Sequence, residues 1–142
     1  MKILTIMRGV SGSGKSTVAK ALAVATGATI FSTDALFVGA DGVYRFDPKK
    51  LGYNHQQNVS LVETAMIDGV EKIIVDNTNT MRSEMKPYVE LAQKYGYNVQ
   101  YVSVERDVDT CISQNQHGVP SEAIHRMKSR FQYENKVSNG QG

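Results

Sequence analysis

Tryptophan is absent, cysteine occurs once, proline three times, and no apolar run nears the ~18 residues of a membrane-spanning helix. With Cys111 alone, no intrachain disulfide can form, and a reducing compartment fits. Cys111 lies beside Ile112 in an apparently helical stretch and reads as a small buried hydrophobe. His55, His117 and His125 are scattered, so no zinc-ligand spacing exists. The net charge of +2 neither demands nor excludes a nucleic-acid partner. Ahead of the first glycine loop there is only MKILTIMR, and a leader cut there would destroy the loop, so a cytoplasmic protein is expected. Apolar residues at 41% and charged residues at 21% are globular proportions, and 142 residues suffice for one core. A single domain over 1–136 is expected, followed by a flexible tail, VSNGQG, at 137–142.

Strands and helices alternate along the rest of the chain. Residues 3–7 (ILTIM) form an apolar run suited to a strand buried on both faces. From Lys15 to about Thr26, Val18, Ala19, Leu22 and Ala25 fall at helical spacing, and Gly27 ends the helix. Residues 28–32 form a second strand, running into Ser32, Thr33 and Asp34. Asp41-Gly42 and Asp47-Pro48 give 39–50 the turn chemistry of a loop or short hairpin. A helix from about Tyr53 to Ile67 has Val59, Val62 and Met66 on one face. Residues 72–76 (KIIVD) are a third strand of central character, followed by a helix over 81–96 with Pro87 near its start. A fourth strand over 97–104 and a short helix at about 107–115 come next. Ser121 is placed to cap a last helix whose apolar face is Ala123, Ile124, Met127 and Phe131. The expected fold is α/β with three layers: a mainly parallel sheet of four to five strands with helices on both faces. In such sheets ligands bind beyond the carboxyl ends of the strands, which singles out the loop after Met7, then Asp34, Asp76 and Glu105-Arg106.

The loop after the first strand is the strongest signal. Gly9-Val10-Ser11-Gly12-Ser13-Gly14-Lys15-Ser16 matches the phosphate-loop pattern Gly-x4-Gly-Lys-Ser/Thr between a strand and a helix. Glycines let the backbone curl until successive N–H groups point at one phosphate, and the helix that follows adds its positive dipole end. Gly9, Ser11, Gly12, Ser13, Gly14, Lys15, Ser16 and Thr17 are therefore the candidate ATP-binding residues. In this pattern Lys15 neutralises the β- and γ-phosphates, and Ser16 is the Mg²⁺ ligand.

The helix after Lys15 travels ~16 Å away at 1.5 Å per residue, and the second strand returns a similar distance. That brings Asp34 back near the γ-phosphate, where a carboxylate can accept a proton from an attacking hydroxyl. Capping of the following turn is the alternative role. Asp76 ends IIVDNTN and suits either water-mediated Mg²⁺ binding or a cationic partner. Because Asn77 follows rather than a second carboxylate, transfer to an organic hydroxyl is favoured over ATP hydrolysis. Asn77 and Asn79 can assist or cap the next helix. Arg126 and Arg130 share a helical face and can cover the transferring group, or simply form an exposed basic surface. Arg45, Lys49 and Lys50, interleaved with Tyr44 and Phe46, suit a nucleotide strand as well as a solvated hairpin.

The blocks RGVSGSGKST, FSTD, IIVDNTN, YGYNVQYVSV, NQHGVP and IHRM resemble the P-loop kinase domain of bacteriophage-type polynucleotide 5′-kinases. They are more similar still to the related P-loop domain of animal ubiquitin-ligase-binding proteins. The resemblance covers roughly residues 3 to 133. It implies that Asp34 is the general base for a 5′-hydroxyl, with Lys15 and Ser16 holding ATP and Mg²⁺. It also implies that Asp76 helps organise the acceptor side, where Asn77 and Arg45 are further candidates, and that 113–120 form a lid. The chain departs from the phage kinases at Phe37, where they carry an acceptor-gripping arginine, and at Gln114 and His117, where their lid carries arginines. Arg126, Arg130 or Arg45 are the substitutes at hand.

Three functions follow from these readings. The first is transfer of the γ-phosphate of ATP to a hydroxyl, foremost the 5′-hydroxyl of a single-stranded or 5′-end nucleic acid. The second is a kinase for a small metabolite or modified nucleoside, and the third a non-catalytic ATP-binding module.

Overall fold

Alternating apolar strands and amphipathic helices collapse into three layers. A computed structural model of the chain describes residues 1–115 and 118–132. His117 of the expected lid and the 137–142 tail lie outside the described residues. The elements are β1 (Ile3–Arg8), α1 (Lys15–Thr26), β2 (Thr29–Phe31), α2 (Leu51–Ile67), β3 (Lys72–Asp76), α3 (Arg82–Tyr95), β4 (Asn98–Ser103), α4 (Val108–Ser113) and α5 (Ser121–Ser129). Short 3-10 turns at Asp34–Phe37 and Pro48–Lys50 interrupt the connection from β2 to α2.

The four strands form one parallel sheet in the order β2-β3-β1-β4, with β3 inside as its Ile73-Ile74-Val75 run implied. Side chains alternate across the strands. Leu4, Ile6, Ile73 and Val75 face α2 and α3, meeting Val62, Met66, Met85, Tyr88 and Leu91. Met7 and Ile74 face the other way, onto Ala19 and its neighbours in α1. Each large aliphatic side chain buried this way contributes about 1.5–3 kcal/mol, so the two faces together set the fold. A third, smaller cluster of Val10, Cys111 and Ile124 packs α4 and α5 against the loop after β1.

Strand register positions the site. Met7 lies beside Asp76, Arg8 beside Ser103, and Phe31 beside Val75. The residues that follow all four strands therefore emerge along one edge of the sheet. Two expectations change at the end of the chain. Pro120, not Ser121, occupies the cap of α5, with no side-chain cap bond. Phe131 lies beyond the end of α5, where its ring packs 4.5 Å from the Arg8 guanidinium. Among the described residues, no helix is long and apolar enough to cross a membrane.

Arg8 is 0% exposed, an uncommon fate for arginine. Its guanidinium donates to the carbonyls of Asn79 (2.9 Å), Thr80 (3.3 Å) and Gln132. Gln132 in turn bonds Thr80 and Arg82 through its N–H and its side-chain oxygen, both at 2.7 Å. One side chain thus ties the end of α5 to the loop that follows β3. Replacing Arg8 by Leu strands those carbonyls, so a loss of about 2–4 kcal/mol is expected in urea unfolding. Arg8→Lys should recover only part of it, since an ammonium cannot reproduce the planar fork.

Candidate active site

The loop Gly9–Ser16 curls between β1 and α1. Its turn is closed by Ser13 N–H donating to Val10 O (3.1 Å), and Gly9 N–H is anchored on Thr78 O (3.0 Å). Gly12 and Gly14 have φ of +83° and +89°, a region that residues with a Cβ avoid. Space forbids a side chain at Gly12 as well, for a Cβ there would stand 1.9 Å from the Cys111 carbonyl oxygen. Gly14 occupies the cap of α1, so the first N–H groups of that helix are presented at the loop. The Ser13 hydroxyl is buried, with no hydrogen-bond partner among the described residues.

Asp76 binds this loop with both oxygens. Lys15 Nζ donates to Oδ1 at 2.9 Å, and Ser16 Oγ donates to Oδ2 at 2.8 Å. Asp76 thus meets a cationic partner, one of the two roles its place at the end of IIVDNTN suggested. Its level with Met7 in the parallel register is the cause. A hydroxyl and a carboxylate converging on one point are hard oxygen donors, the kind Mg²⁺ takes one or two of beside phosphates and water. Among the described residues there is no cluster of three or more His, Cys, Asp or Glu that could hold a metal by itself. The Ser16–Asp76 pair fits a Mg²⁺ that arrives with a nucleotide.

A cavity of about 620 Å³ opens beside the loop, with Ser11 and Asp34 both in its lining. Asp34 is exposed and opens the 3-10 turn Asp34–Phe37, while Thr33 holds the cap position. Asp34 is therefore not the cap of that turn. Its charge, after burial, helps raise the Tyr44 hydroxyl above the usual tyrosine range. Thr33 is fixed by its N–H on Asn77 Oδ1 (2.9 Å) and by its hydroxyl against His55 Nδ1 (3.1 Å). Asn77 and Asn58 both donate to the Tyr88 hydroxyl, at 3.4 and 2.9 Å. Burial pushes the Tyr88 phenol up, so it stays protonated and neutral within this polar floor.

Sequence reasoning missed this floor. Its one signal is Asn54 and Asn58, four apart in α2 on the same buried side as Val62 and Met66. Asn77 lines the cavity and joins its floor, and Asn79, at φ +49°, donates to Met7 O (2.8 Å). Neither caps α3. That helix starts at Met81, with the Glu84 carboxylate receiving the Met81 N–H at 3.1 Å.

The basic residues separate. Arg130 lines the cavity and donates to Thr80 Oγ1 (3.1 Å). Arg126 is exposed on α5 and outside the lining. Arg45 is also outside it, paired with Asp41 at 2.7 Å on the surface. Phe37 is 6% exposed and packs on Phe46 and Tyr44 with ring centres 5.1 and 6.2 Å away. It anchors the 38–46 loop.

A family model described as an AAA domain matches residues 4–133. NEDD4-binding protein 2 of Homo sapiens is 39% identical over 139 residues, covering 92% of this chain and 8% of that protein. This chain thus spans a small part of that relative. A chain of the Pnkp1/Rnl/Hen1 RNA repair complex shares the fold with a TM-score of 0.70 at 19% identity, covering 91% of this chain and 43% of that one. The Mycobacterium tuberculosis APS kinase CysC, in complex with AMPPNP and APS, shares it with a TM-score of 0.65 at 17% identity, over 95% and 84% of the two chains.

Gly12→Ala is the sharpest test of the loop. The collision with the Cys111 carbonyl should lower the melting temperature and abolish ATP binding together. A variant melting like wild type and binding ATP with unchanged affinity would contradict the loop geometry.

Proposed function

The chain belongs to the AAA domain family, a P-loop kinase domain, over residues 4–133, and on that basis we propose that it transfers the γ-phosphate of ATP to a hydroxyl, foremost the 5′-hydroxyl of a nucleic acid. One observation carries the reading. Asp34 and Ser11 of the glycine loop line one cavity, whose volume of about 620 Å³ has room for a hydroxylated acceptor.

In this mechanism the backbone N–H groups of Gly12–Lys15 and the start of α1 bind the phosphates. Lys15 turns from Asp76 to the β- and γ-oxygens. Ser16 and Asp76 would hold a Mg²⁺ that arrives with the nucleotide, and the ion would supply charge neutralisation at the phosphates. Asp34 accepts the proton of the acceptor hydroxyl as its oxygen bonds to the γ-phosphorus. The bond from that phosphorus to the β–γ bridging oxygen breaks, and ADP leaves with the bonding pair. The Thr33–Asn77 bond holds the end of β2, and with it Asp34, against the end of β3. A cytoplasmic setting fits this chemistry, because ATP and reduced thiols such as Cys111 occur there together.

A second reading, a small hydroxylated acceptor, has its own support. Among the described residues lining the cavity, Arg130 is the sole lysine or arginine, a thin grip for a chain of phosphates. The APS kinase of similar fold was solved in complex with AMPPNP and the small molecule APS.

The experiment is γ-labelled ATP incubated with 5′-hydroxyl DNA, 5′-hydroxyl RNA, nucleosides and sugars. Label in an oligonucleotide supports the first reading, and label only in nucleosides or sugars supports the second. Asp34→Asn should reduce transfer by roughly 10²–10⁴-fold, the usual worth of a general base. Its ATP affinity should stay within about twofold, an interval that separates loss of catalysis from loss of binding. Transfer by Asp34→Asn at the wild-type rate would remove the base from the mechanism.

A further inference from the structure

The cavity accounts for one flank of the phosphate loop. On the other flank stands Arg106, just beyond the end of β4, and the proposed transfer leaves it without a role. Its guanidinium lies close over Gly14. From a Cβ position on Gly14, Nη2, Cζ and Nε are 3.4, 3.6 and 3.8 Å away. Three such similar distances mean that the group lies flat on the loop and does not point an edge at it. Arg106 Nη1 donates to Gln114 Oε1 at 3.1 Å, which fixes the orientation of the plane. The Asp107 carboxylate accepts from Thr110 N–H and Oγ1 at 2.9 and 2.8 Å, and it acts on Arg106 through charge and not through a hydrogen bond. Arg106 is otherwise exposed, so the face turned away from Gly14 meets solvent.

Sheet order gives this flank a direction. Asp34 and Asp76 follow β2 and β3, on one side of β1, whereas Arg106 follows β4, on the other. A γ-phosphate directed at Asp34 leaves the nucleoside end trailing toward β4. The loop's own amides bind phosphate and offer a base nothing. A planar cation held flat beside them is suited to stacking on an aromatic ring.

We infer that Arg106, held by Gln114 against Gly14, is the shelf on which the nucleobase of the bound triphosphate stacks. The inference rests on the reading that the loop holds a nucleoside triphosphate, and extends it to the end of the ligand remote from the chemistry. Gln114, which stands where the phage kinases carry a lid arginine, then serves as the positioning residue for the shelf.

The test measures calorimetric affinity for ATP and for inorganic tripolyphosphate in wild type, Arg106→Ala and Arg106→Tyr. Arg106→Ala should weaken ATP about tenfold, as loss of one stacking partner does, and leave tripolyphosphate within about twofold. Arg106→Tyr, which keeps a flat face without charge, should bind ATP within about threefold of wild type. Equal weakening of ATP and tripolyphosphate in Arg106→Ala makes the contact one to phosphate and overturns the shelf. So does unchanged ATP binding, or a Tyr variant as weak as the Ala variant. Should wild type bind neither ligand, the nucleotide reading itself fails. Normal wild-type binding with an indifferent Arg106 sinks the shelf alone. The exposed side chain makes misfolding a minor concern, and matching melting curves for the three proteins check it.

Discussion

Both oxygens of the Asp76 carboxylate are held by the loop that follows β1, and the site depends on that one grip. Lys15 and Asp76 are 11% and 7% exposed, so the pair sits in a poorly hydrated place where an unpartnered charge is costly. The grip exists because β1 and β3 run parallel with Met7 level with Asp76. A one-residue slip would turn Asp76 to the opposite face of the sheet and bury its neighbour instead. The apolar alternation that enforces this register, Leu4 and Ile6 on one side and Met7 on the other, is thus also what aligns a carboxylate with Lys15 and Ser16.

Around that grip the other strand ends are fastened sideways. Asn77 receives the Thr33 N–H, Asn79 donates to Met7, and Arg8 collects the carbonyls of Asn79, Thr80 and Gln132. Backbone groups that leave a strand end without a partner are satisfied by side chains from its neighbours, as buried polar groups require. These bonds fasten the ends of β1, β2 and β3 to one another beside Asp34 and the glycine loop. Phosphoryl transfer asks little of a protein beyond such positioning and charge stabilisation.

The regular elements and the loop were legible in the sequence because their signals are local. Glycine spacing marks the loop, a three-residue β-branched run marks β3, and β3 begins and ends where residues 72–76 suggested. The lengths of α1 and β2 likewise return the chain from Lys15 to Asp34 at the same edge of the sheet. What stayed hidden depends on partners far along the chain. Nothing in the sequence marks the burial of Arg8 or its contact with Gln132, 124 residues away. Tyr88 and Asn58 are 30 residues apart and meet only through helix packing. Phe37 was read as a departure from the acceptor-gripping arginine of the phage kinases, and its packing on Tyr44 and Phe46 was not visible from sequence. Asp76 was legible as a partner for Mg²⁺ or a cation, but that the cation is Lys15 follows only from the adjacency of β1 and β3.

The central claim is spatial: a triphosphate on the loop and an acceptor in the cavity stand end to end. A conjugate of adenosine and a nucleoside joined by an oligophosphate chain tests it directly by titration calorimetry. If the two sites are continuous, the conjugate should bind at least roughly 100-fold more tightly than ATP, because its second half docks at high effective concentration. An affinity equal to that of ATP would mean that the cavity and the loop do not form one site.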